Sequence, residues 1–203
     1  MEKEGVIKFK YKWTETNLVD FEYFESINFW RNRLFELGLI GVDDNNIGFG
    51  NLSSRFTGNQ FIITGSGTGK IKTLTKDHYS LVSAFSAEAN FIEVRGPVKA
   101  SSESLTHAAL YQCDGNINSV IHIHHAGLWK HYFGVLPTSD MSIEYGTPAI
   151  AMEVKNLALN STLIKDKILI MGGHQDGIIT FGNSTEEAGK ILLDILIQFN
   201  GSA

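Results

Sequence analysis

Two histidines one residue apart give this chain its clearest chemical signal. His122 and His124 lie in residues 120–125, a run whose apolar members are β-branched, and the run therefore predicts a strand. Alternate side chains of a strand share one face, so the two imidazoles would lie roughly 6–7 Å apart along it. A divalent metal would use a nitrogen of each ring. Backbone carbonyl groups would satisfy the same nitrogens, and this second interpretation stays open.

A third ligand and a carboxylate would complete a catalytic metal centre. Such centres commonly have three protein ligands and an open coordination position. His174 follows a predicted buried strand and has glycines nearby, which would let a ligand approach closely, so we predict it as the third ligand. Three histidines carry no negative charge. We therefore predict Glu103, at the start of the helix before the histidine strand, as the general acid and base.

Two serines and a glycine-rich turn are candidate anion-binding groups. The hydroxyls of Ser101 and Ser102, with the free N–H groups of the helix that they begin, would suit a phosphate. Ser102 would also serve as an ordinary helix cap. Residues 65–70 follow a strand but match neither the P-loop nor the dinucleotide-binding glycine pattern. They are therefore either a small anion cradle or a plain flexible turn.

Length, charge and cysteine content restrict the class of protein. The chain has 203 residues, and a single domain spanning residues 1–203 is expected. Its net charge of −5 and its lack of a Lys/Arg cluster argue against a nucleic-acid partner. No apolar run approaches about 18 residues, so no membrane partner is expected. The single cysteine and the charged start without an apolar leader region predict a cytoplasmic location.

The spacing of apolar residues predicts an alternation of helices and strands around the histidine run. Helices are predicted over residues 18–37, 75–88, 101–112, 127–133, 149–159 and 184–199. Strands are predicted over residues 61–64, 91–94, 120–125, 167–171 and 178–181, with a possible edge strand over residues 6–11. The candidate site residues fall mainly at the ends of these elements.

Six short motifs follow one another in an order that is typical of a known family. They are Gly50-Asn51-Leu52-Ser53-x-Arg55, Thr64-Gly65-Ser66-Gly67, Ser101-Ser102-Glu103-x-x-x-His107, His122-x-His124, Tyr145-Gly146-Thr147 and His174. In this order and at this spacing, the chain resembles the class II aldolase/adducin family over roughly residues 20–197.

The resemblance implies a fold and a set of site residues. The fold would be α/β, with three α/β/α layers around a central, mostly antiparallel sheet. The metal, commonly zinc, would be held by His122, His124 and His174, and three-histidine sites also accept Fe2+, Mn2+ or Co2+. Glu103 would be the catalytic acid and base. The residues around the substrate phosphate would be Asn51, Thr64, Gly65, Ser101 and Ser102.

The resemblance also implies a reaction. A divalent-metal-dependent aldolase would cleave a small sugar phosphate, a ketose 1-phosphate, through a metal-stabilised enediolate. A dehydratase of the methylthioribulose-phosphate type and a 4-epimerase are alternatives within the family, and a non-catalytic, adducin-like interaction domain is an alternative of another class. Tyr145 would be either a proton donor or a packing residue. Relatives of this kind are commonly homotetramers with sites at subunit interfaces.

Overall fold

A computed structural model describes residues 6–201 and places one large sheet between two layers of helices. The strands are β1 (Lys10–Glu15), β2 (Gly41–Val42), β3 (Gly48–Phe49), β4 (Asn51–Thr57), β5 (Gln60–Thr64), β6 (Tyr79–Ser86), β7 (Phe91–Gly96), β8 (Ser119–His124), β9 (Ile168–Ile170) and β10 (Gly177–Gly182). The helices are α1 (Phe24–Glu36), α2 (Ser104–Cys113), α3 (Ala126–Tyr132), α4 (Pro148–Asn160), α5 (Leu163–Asp166) and α6 (Thr185–Gly201). Short 3₁₀ turns occupy Thr68–Lys70 and Lys76–His78.

The large sheet has eight strands in the order β1-β7-β6-β5-β4-β8-β10-β9, while β2 and β3 pair separately. Neighbouring strands of the large sheet are antiparallel, except for β1 and β7, which are parallel. The predicted α/β fold with a central, mostly antiparallel sheet is therefore confirmed.

Two apolar cores cover the opposite faces of this sheet. Helices α2 and α4 pack on one face, where Leu105 and Val154 are fully buried. Helices α1, α3 and α6 pack on the other face, with Leu34, Leu128 and Leu192 in that core. Side chains alternate along a strand, so a central strand such as β8 contributes to both cores. None of the helices within residues 6–201 is long and apolar enough to cross a membrane.

Strand β8 lies between β4 and β10, and its register positions the histidines. Val120 packs in the core of α2 and α4, whereas Ile121 and Ile123 pack in the opposite core. His122 shares the face of Val120 and pairs with Asn51 of β4. The predicted strand and its alternation are therefore confirmed.

The predicted helix over residues 75–88 is wrong. Thr75 caps a 3₁₀ turn that ends at His78, and Tyr79–Ser86 then forms β6 between β5 and β7. The pairing of β6 with β7 shifts after Val82, which breaks the alternation of buried side chains. The apolar spacing then resembles that of a helix, although both faces of a strand are being covered.

Two predicted boundaries also differ from the structure. The helix predicted over residues 18–37 begins only at Phe24. Leu18 and Phe21 precede the helix and still pack against its core, so the apolar stripe extends beyond the helix itself. The edge strand predicted over residues 6–11 is β1, which begins four residues later.

A buried polar network joins α2 to β4. His107 Nδ1 lies 2.7 Å from Ser53 Oγ, and Ser53 Oγ lies 2.7 Å from the Tyr111 hydroxyl. Burial lowers the pKa of His107 from 6.5 to about 3 and raises the pKa of Tyr111. Both side chains are therefore neutral at ordinary pH. The network fixes α2, and with it the Glu103 position that begins the helix, relative to the sheet.

Two glycines let the segment before His174 pass close to the loop that follows α3. A Cβ on Gly172 would lie 2.0 Å from the Ser139 carbonyl oxygen, and one on Gly173 would lie 2.0 Å from the Ile143 carbonyl oxygen. No side chain fits at these distances. The glycines beside His174 therefore allow two stretches of backbone to approach closely, and the approach of a ligand there stays a prediction.

The Gly173→Ala variant is expected to unfold more easily, by about 1–3 kcal/mol, because the new methyl group overlaps a backbone carbonyl. Gly115→Ala is the matched control, since a Cβ there would meet nothing within 4 Å. Its free energy of unfolding should change by about 0.5 kcal/mol or less. Urea unfolding of the metal-free proteins measures both values. Equal stability of the two variants would contradict the tight packing before His174.

The His107→Gln variant is expected to show a weaker acid dependence of stability. The folded pKa of His107, about 3, lies below the ordinary 6.5, so the unfolded chain binds more protons between these values. Stability from the neutral ring is complete above pH 6.5 and is lost as the pH falls toward 3. The wild type should lose up to about 1.4 kcal/mol per pH unit more than the variant. Urea unfolding across this range tests the difference, and parallel curves would refute it.

Candidate metal and anion site

Three histidines converge at one end of the central strands. Strand β8 carries His122 and His124, and the turn between β9 and β10 carries His174. One ring nitrogen of each lies within 4.8 Å of the other two. His124 Nε2 and His174 Nε2 are 3.0 Å apart, although 50 residues separate them in the chain. The structure therefore brings together the three predicted metal ligands.

The geometry and chemistry of the three histidines fit a divalent metal. Two nitrogens bound to one tetrahedral zinc at about 2.0–2.1 Å would lie about 3.3 Å apart, close to the separation of His124 and His174. His122 is fully buried, and its Nε2 has no hydrogen-bond partner within residues 6–201. The pKa of His122 is well below its usual value, mainly because of burial and secondly because of the neighbouring histidines. A neutral imidazole with a spare nitrogen is suited to metal ligation.

Glu103 lies directly beside the three histidines, at the N-cap of α2. Its Oε1 is 3.2 Å from His174 Nε2, and its Oε2 is 3.5 Å from His122 Nδ1. The residue is only 2% exposed. A carboxylate in this position can share a cation with the histidines or exchange a proton with a substrate bound next to them. Its catalytic role stays a prediction.

Aromatic and amide side chains orient the histidine rings. Asn51 Nδ2 lies 3.2 Å from His122 Nδ1. Phe49 stacks on His124 with ring centroids 5.1 Å apart, and Tyr145 lies against His174 with centroids 4.4 Å apart. Contacts of this kind hold ligating nitrogens in a defined direction. Asn51 was predicted as a phosphate ligand, and the structure adds this contact with a histidine.

Lys8 also reaches this region, although no sequence motif singles it out. Its Nζ lies 4.0 Å from the centroid of the Tyr145 ring and 3.2 Å from a carboxylate oxygen of Glu144. The cation therefore helps to hold the tyrosine that contacts His174. Lys8 and Glu144 are 136 residues apart. No local sequence pattern could have predicted a contact between such distant residues.

A pocket next to the histidines contains most of the predicted phosphate ligands. Glu103 also lies in its wall. Four of the five predicted residues line the pocket, namely Asn51, Gly65, Ser101 and Ser102. The fifth, Thr64, is buried behind the wall, where its Oγ1 accepts a hydrogen bond from Leu52 N at 3.2 Å. Thr64 thus joins β5 to β4 in this structure.

Much of the wall is a glycine cradle, defined here as Gly48, Gly50 and residues 65–69, and this cradle includes the predicted ligand Gly65. A Cβ on Gly69 would lie 2.4 Å from the Gly41 carbonyl oxygen and 2.9 Å from Gly48 Cα. Glycine is therefore required at position 69 for this turn to meet Gly41 and Gly48. The pocket surface is mainly backbone. Of the two interpretations of residues 65–70, this packing favours the anion cradle.

The remaining histidines lie outside the cluster. His125 caps α3, where its Nδ1 accepts a hydrogen bond from Leu128 N at 3.0 Å. His78 Nδ1 accepts a hydrogen bond from Thr75 N at 2.9 Å. His131 is exposed on α3. The structure thus groups His122, His124 and His174, and their role as metal ligands stays a prediction.

Comparison with known structures supports the fold. YgbL from Escherichia coli, described as a candidate aldolase, epimerase or decarboxylase, is similar at 19% identity and a TM-score of 0.64, over 87% of this chain and 86% of that one. L-fuculose-1-phosphate aldolase from Thermus thermophilus is similar at 19% identity and a TM-score of 0.64, over 87% and 90%. A sugar-phosphate aldolase from Thermotoga maritima is similar at 14% identity and a TM-score of 0.60, over 85% and 94%.

The amino-acid sequence also matches the model of a protein family. Among curated proteins, none gives a significant sequence match. The model described as Class II Aldolase and Adducin N-terminal domain matches residues 44–195. This range covers well over half of the chain and contains β4, α2, β8 and the turn that carries His174. The chain therefore belongs to the class II aldolase and adducin N-terminal domain family.

Proposed function

We propose that the chain is a divalent-metal-dependent aldolase that cleaves a small sugar phosphate, most simply a ketose 1-phosphate. The observation that carries this proposal is the position of Glu103 between the two halves of the site. Its carboxylate lies 3.2 Å from His174 Nε2 and also faces the pocket of the glycine cradle. An acid-base group, a ligand set and an anion pocket thus adjoin one another, which is what cleavage beside a phosphate requires.

The pocket supports a phosphorylated substrate. Ser102 is nearly buried in the wall, and its hydroxyl makes no hydrogen bond within the described residues. Ser101 Oγ accepts a hydrogen bond from Glu103 N at 3.3 Å, which ties the phosphate side of the pocket to the catalytic carboxylate. Backbone N–H groups of the cradle complete a set of neutral donors. We assign phosphate binding to Asn51, Gly65, Ser101 and Ser102, with Thr64 supporting the wall.

The chain's own residues would then handle the proton in the reaction. A bound divalent cation, zinc in the first instance, would supply Lewis-acid stabilisation of charge on substrate oxygens. The hydroxyl beside the breaking carbon–carbon bond loses a proton, an aldehyde leaves, and the remaining carbon gains a proton. Glu103 would hold this proton between the two steps. The buried surroundings of His122 and Glu103 would exclude water from the reacting atoms.

Two alternatives from the family share the same residues. A dehydratase would use Glu103 to remove a carbon-bound proton and would release water instead of an aldehyde. A 4-epimerase would cleave and reform one bond and release nothing. A non-catalytic, adducin-like interaction domain would need neither a metal nor Glu103. The convergence of three histidines with a carboxylate favours the catalytic class.

We also propose that the chain assembles as a homotetramer. Val135 and Met141 are 74% and 68% exposed, and both belong to the loop that follows α3. This loop packs against Gly172 and Gly173, immediately before His174. A second copy covering these apolar side chains would therefore lie next to the site.

A panel of sugar 1-phosphates is expected to reveal dihydroxyacetone phosphate release from at least one ketose, and chelation of metal should abolish it. Metal analysis of the purified protein should find about one divalent ion per chain. A dehydrated ketone or an epimer as the sole product would assign the reaction to an alternative. Absence of any bound divalent metal after zinc loading would end the enzyme proposal.

The Glu103→Gln variant is expected to lose turnover by about 100-fold or more while keeping its metal content, because the histidines stay in place. Glu88→Gln is the control, since Glu88 is exposed and its carboxylate accepts a hydrogen bond from Ser86, two residues away in the chain. Steady-state rates and metal analysis separate the two effects. Undiminished turnover in Glu103→Gln would remove the carboxylate from its assigned role.

Light scattering of the purified protein is expected to give a mass near four times 22.5 kDa. The Met141→Lys variant should shift this mass downward, because a charge would be buried in the contact. Leu159→Lys, at an 83% exposed position on α4, is the control and should leave the mass unchanged. A monomeric wild type would contradict the proposed assembly.

A further inference from the structure

Arg31 is a buried cation that lies beneath the glycine cradle. It projects from α1 and is only 1% exposed. It takes part in none of the ion pairs within residues 6–201. Desolvation lowers its pKa to about 10, so the guanidinium is still charged at neutral pH. A buried charge without a counter-charge is costly, and a fold seldom retains one unless something uses it.

Arg31 donates hydrogen bonds to three backbone carbonyl groups, and two of these carbonyls belong to the cradle. Its Nη2 donates to Thr68 O at 2.9 Å and, weakly, to Gly69 O at 3.5 Å. Its Nη1 donates to Lys72 O at 2.8 Å. The guanidinium therefore fixes the segment that forms one wall of the anion pocket.

These bonds orient the peptide units of the cradle. In a trans peptide the carbonyl and the following N–H point in opposite directions, and the described residues contain no cis bond. The Thr68 and Gly69 carbonyls face Arg31, so the N–H groups of Gly69 and Lys70 face away from it. Gly69 lies in the pocket wall, and both N–H groups belong to the short 3₁₀ turn Thr68–Lys70. Each peptide thus presents its positive end on the side opposite the cation.

The pocket needs such a positive contribution. Glu103 lines the same pocket, and the chain as a whole carries a net charge of −5. Two serine hydroxyls and backbone N–H groups are neutral donors. Apart from the proposed metal, a dianion placed there would meet a negative neighbour and a negative overall field, with a dipolar cradle to offset them.

We propose that Arg31 is the counter-charge of the bound anion, acting through the peptide units of residues 68–70, and that it makes the pocket select a dianionic phosphate monoester over a monoanionic group of the same shape. This inference rests on the proposed function only for the presence of phosphate in the pocket. Arg31 is a positioning residue, since the peptides lie between it and the ligand. With one peptide unit between them, the guanidinium and the bound anion would lie roughly 8–9 Å apart. Buried charges still interact strongly at this distance.

Calorimetric titration of the metal-loaded protein with glycerol 1-phosphate and with its methyl diester tests the selection at one fixed pH. The two ligands differ by one negative charge. The wild type should prefer the monoester by tenfold or more. In Arg31→Gln, which keeps amide donors but loses the charge, this preference should fall at least tenfold. Arg33→Met, a charge removal at an exposed position of the same helix, should keep the wild-type preference.

The ratio of the two affinities separates charge from structure, because a displaced cradle would weaken both ligands alike. If Arg31→Gln does not fold, Arg31→Lys keeps the charge and should retain most of the preference. A folded Arg31→Gln with the wild-type preference, or a folded Arg31→Lys without any, overturns the proposal. So does a wild type that binds both ligands equally or neither. A wild type that selects the monoester but shows no turnover fails the proposed function and leaves this inference standing.

Discussion

The pairing register of β8 with β4 and β10 is the constraint on which the site depends. A slip of one residue would exchange the faces of every side chain, moving His122 into the core of α1 and α6 and an isoleucine toward Glu103. The isoleucines that alternate with the histidines oppose such a slip, because both faces of the sheet are buried. The apolar half of the strand therefore determines where the polar half points.

Few charged groups lie in and around the site that this register positions. The most buried histidine of the cluster is kept neutral by its surroundings, and the single carboxylate of the site adjoins a pocket built from backbone. The one fully buried cation of the described residues lies behind that backbone rather than in it. The carboxylate lies beside histidines, while the guanidinium donates to backbone carbonyls, so the two groups do not neutralise each other in an ion pair. Each charge would then be available to a different part of a bound ligand.

The sequence predicted the parts of this arrangement that depend on short-range periodicity or on motif order. The His-x-His strand follows from alternation alone, His174 and Glu103 follow from their positions beside predicted strands and a predicted helix, and the fold follows from motif order. The helix predicted over residues 75–88 failed because a bulge in β6 disguises its alternation. No sequence pattern identifies Arg31 or Lys8, because their roles arise from contacts across the fold. The partners are backbone carbonyls for Arg31 and an aromatic ring for Lys8.

The separation of the three histidines along the chain has a thermodynamic consequence. His122 and His124 lie on β8, and His174 lies in the turn before β10, so the cluster exists only when these neighbouring strands are paired. A ligand held by all three rings acts as a removable cross-link at the centre of the sheet. Its binding free energy is then also folding free energy. Where that ligand is a divalent cation, the supply of the cation would set the fraction of the protein that is folded.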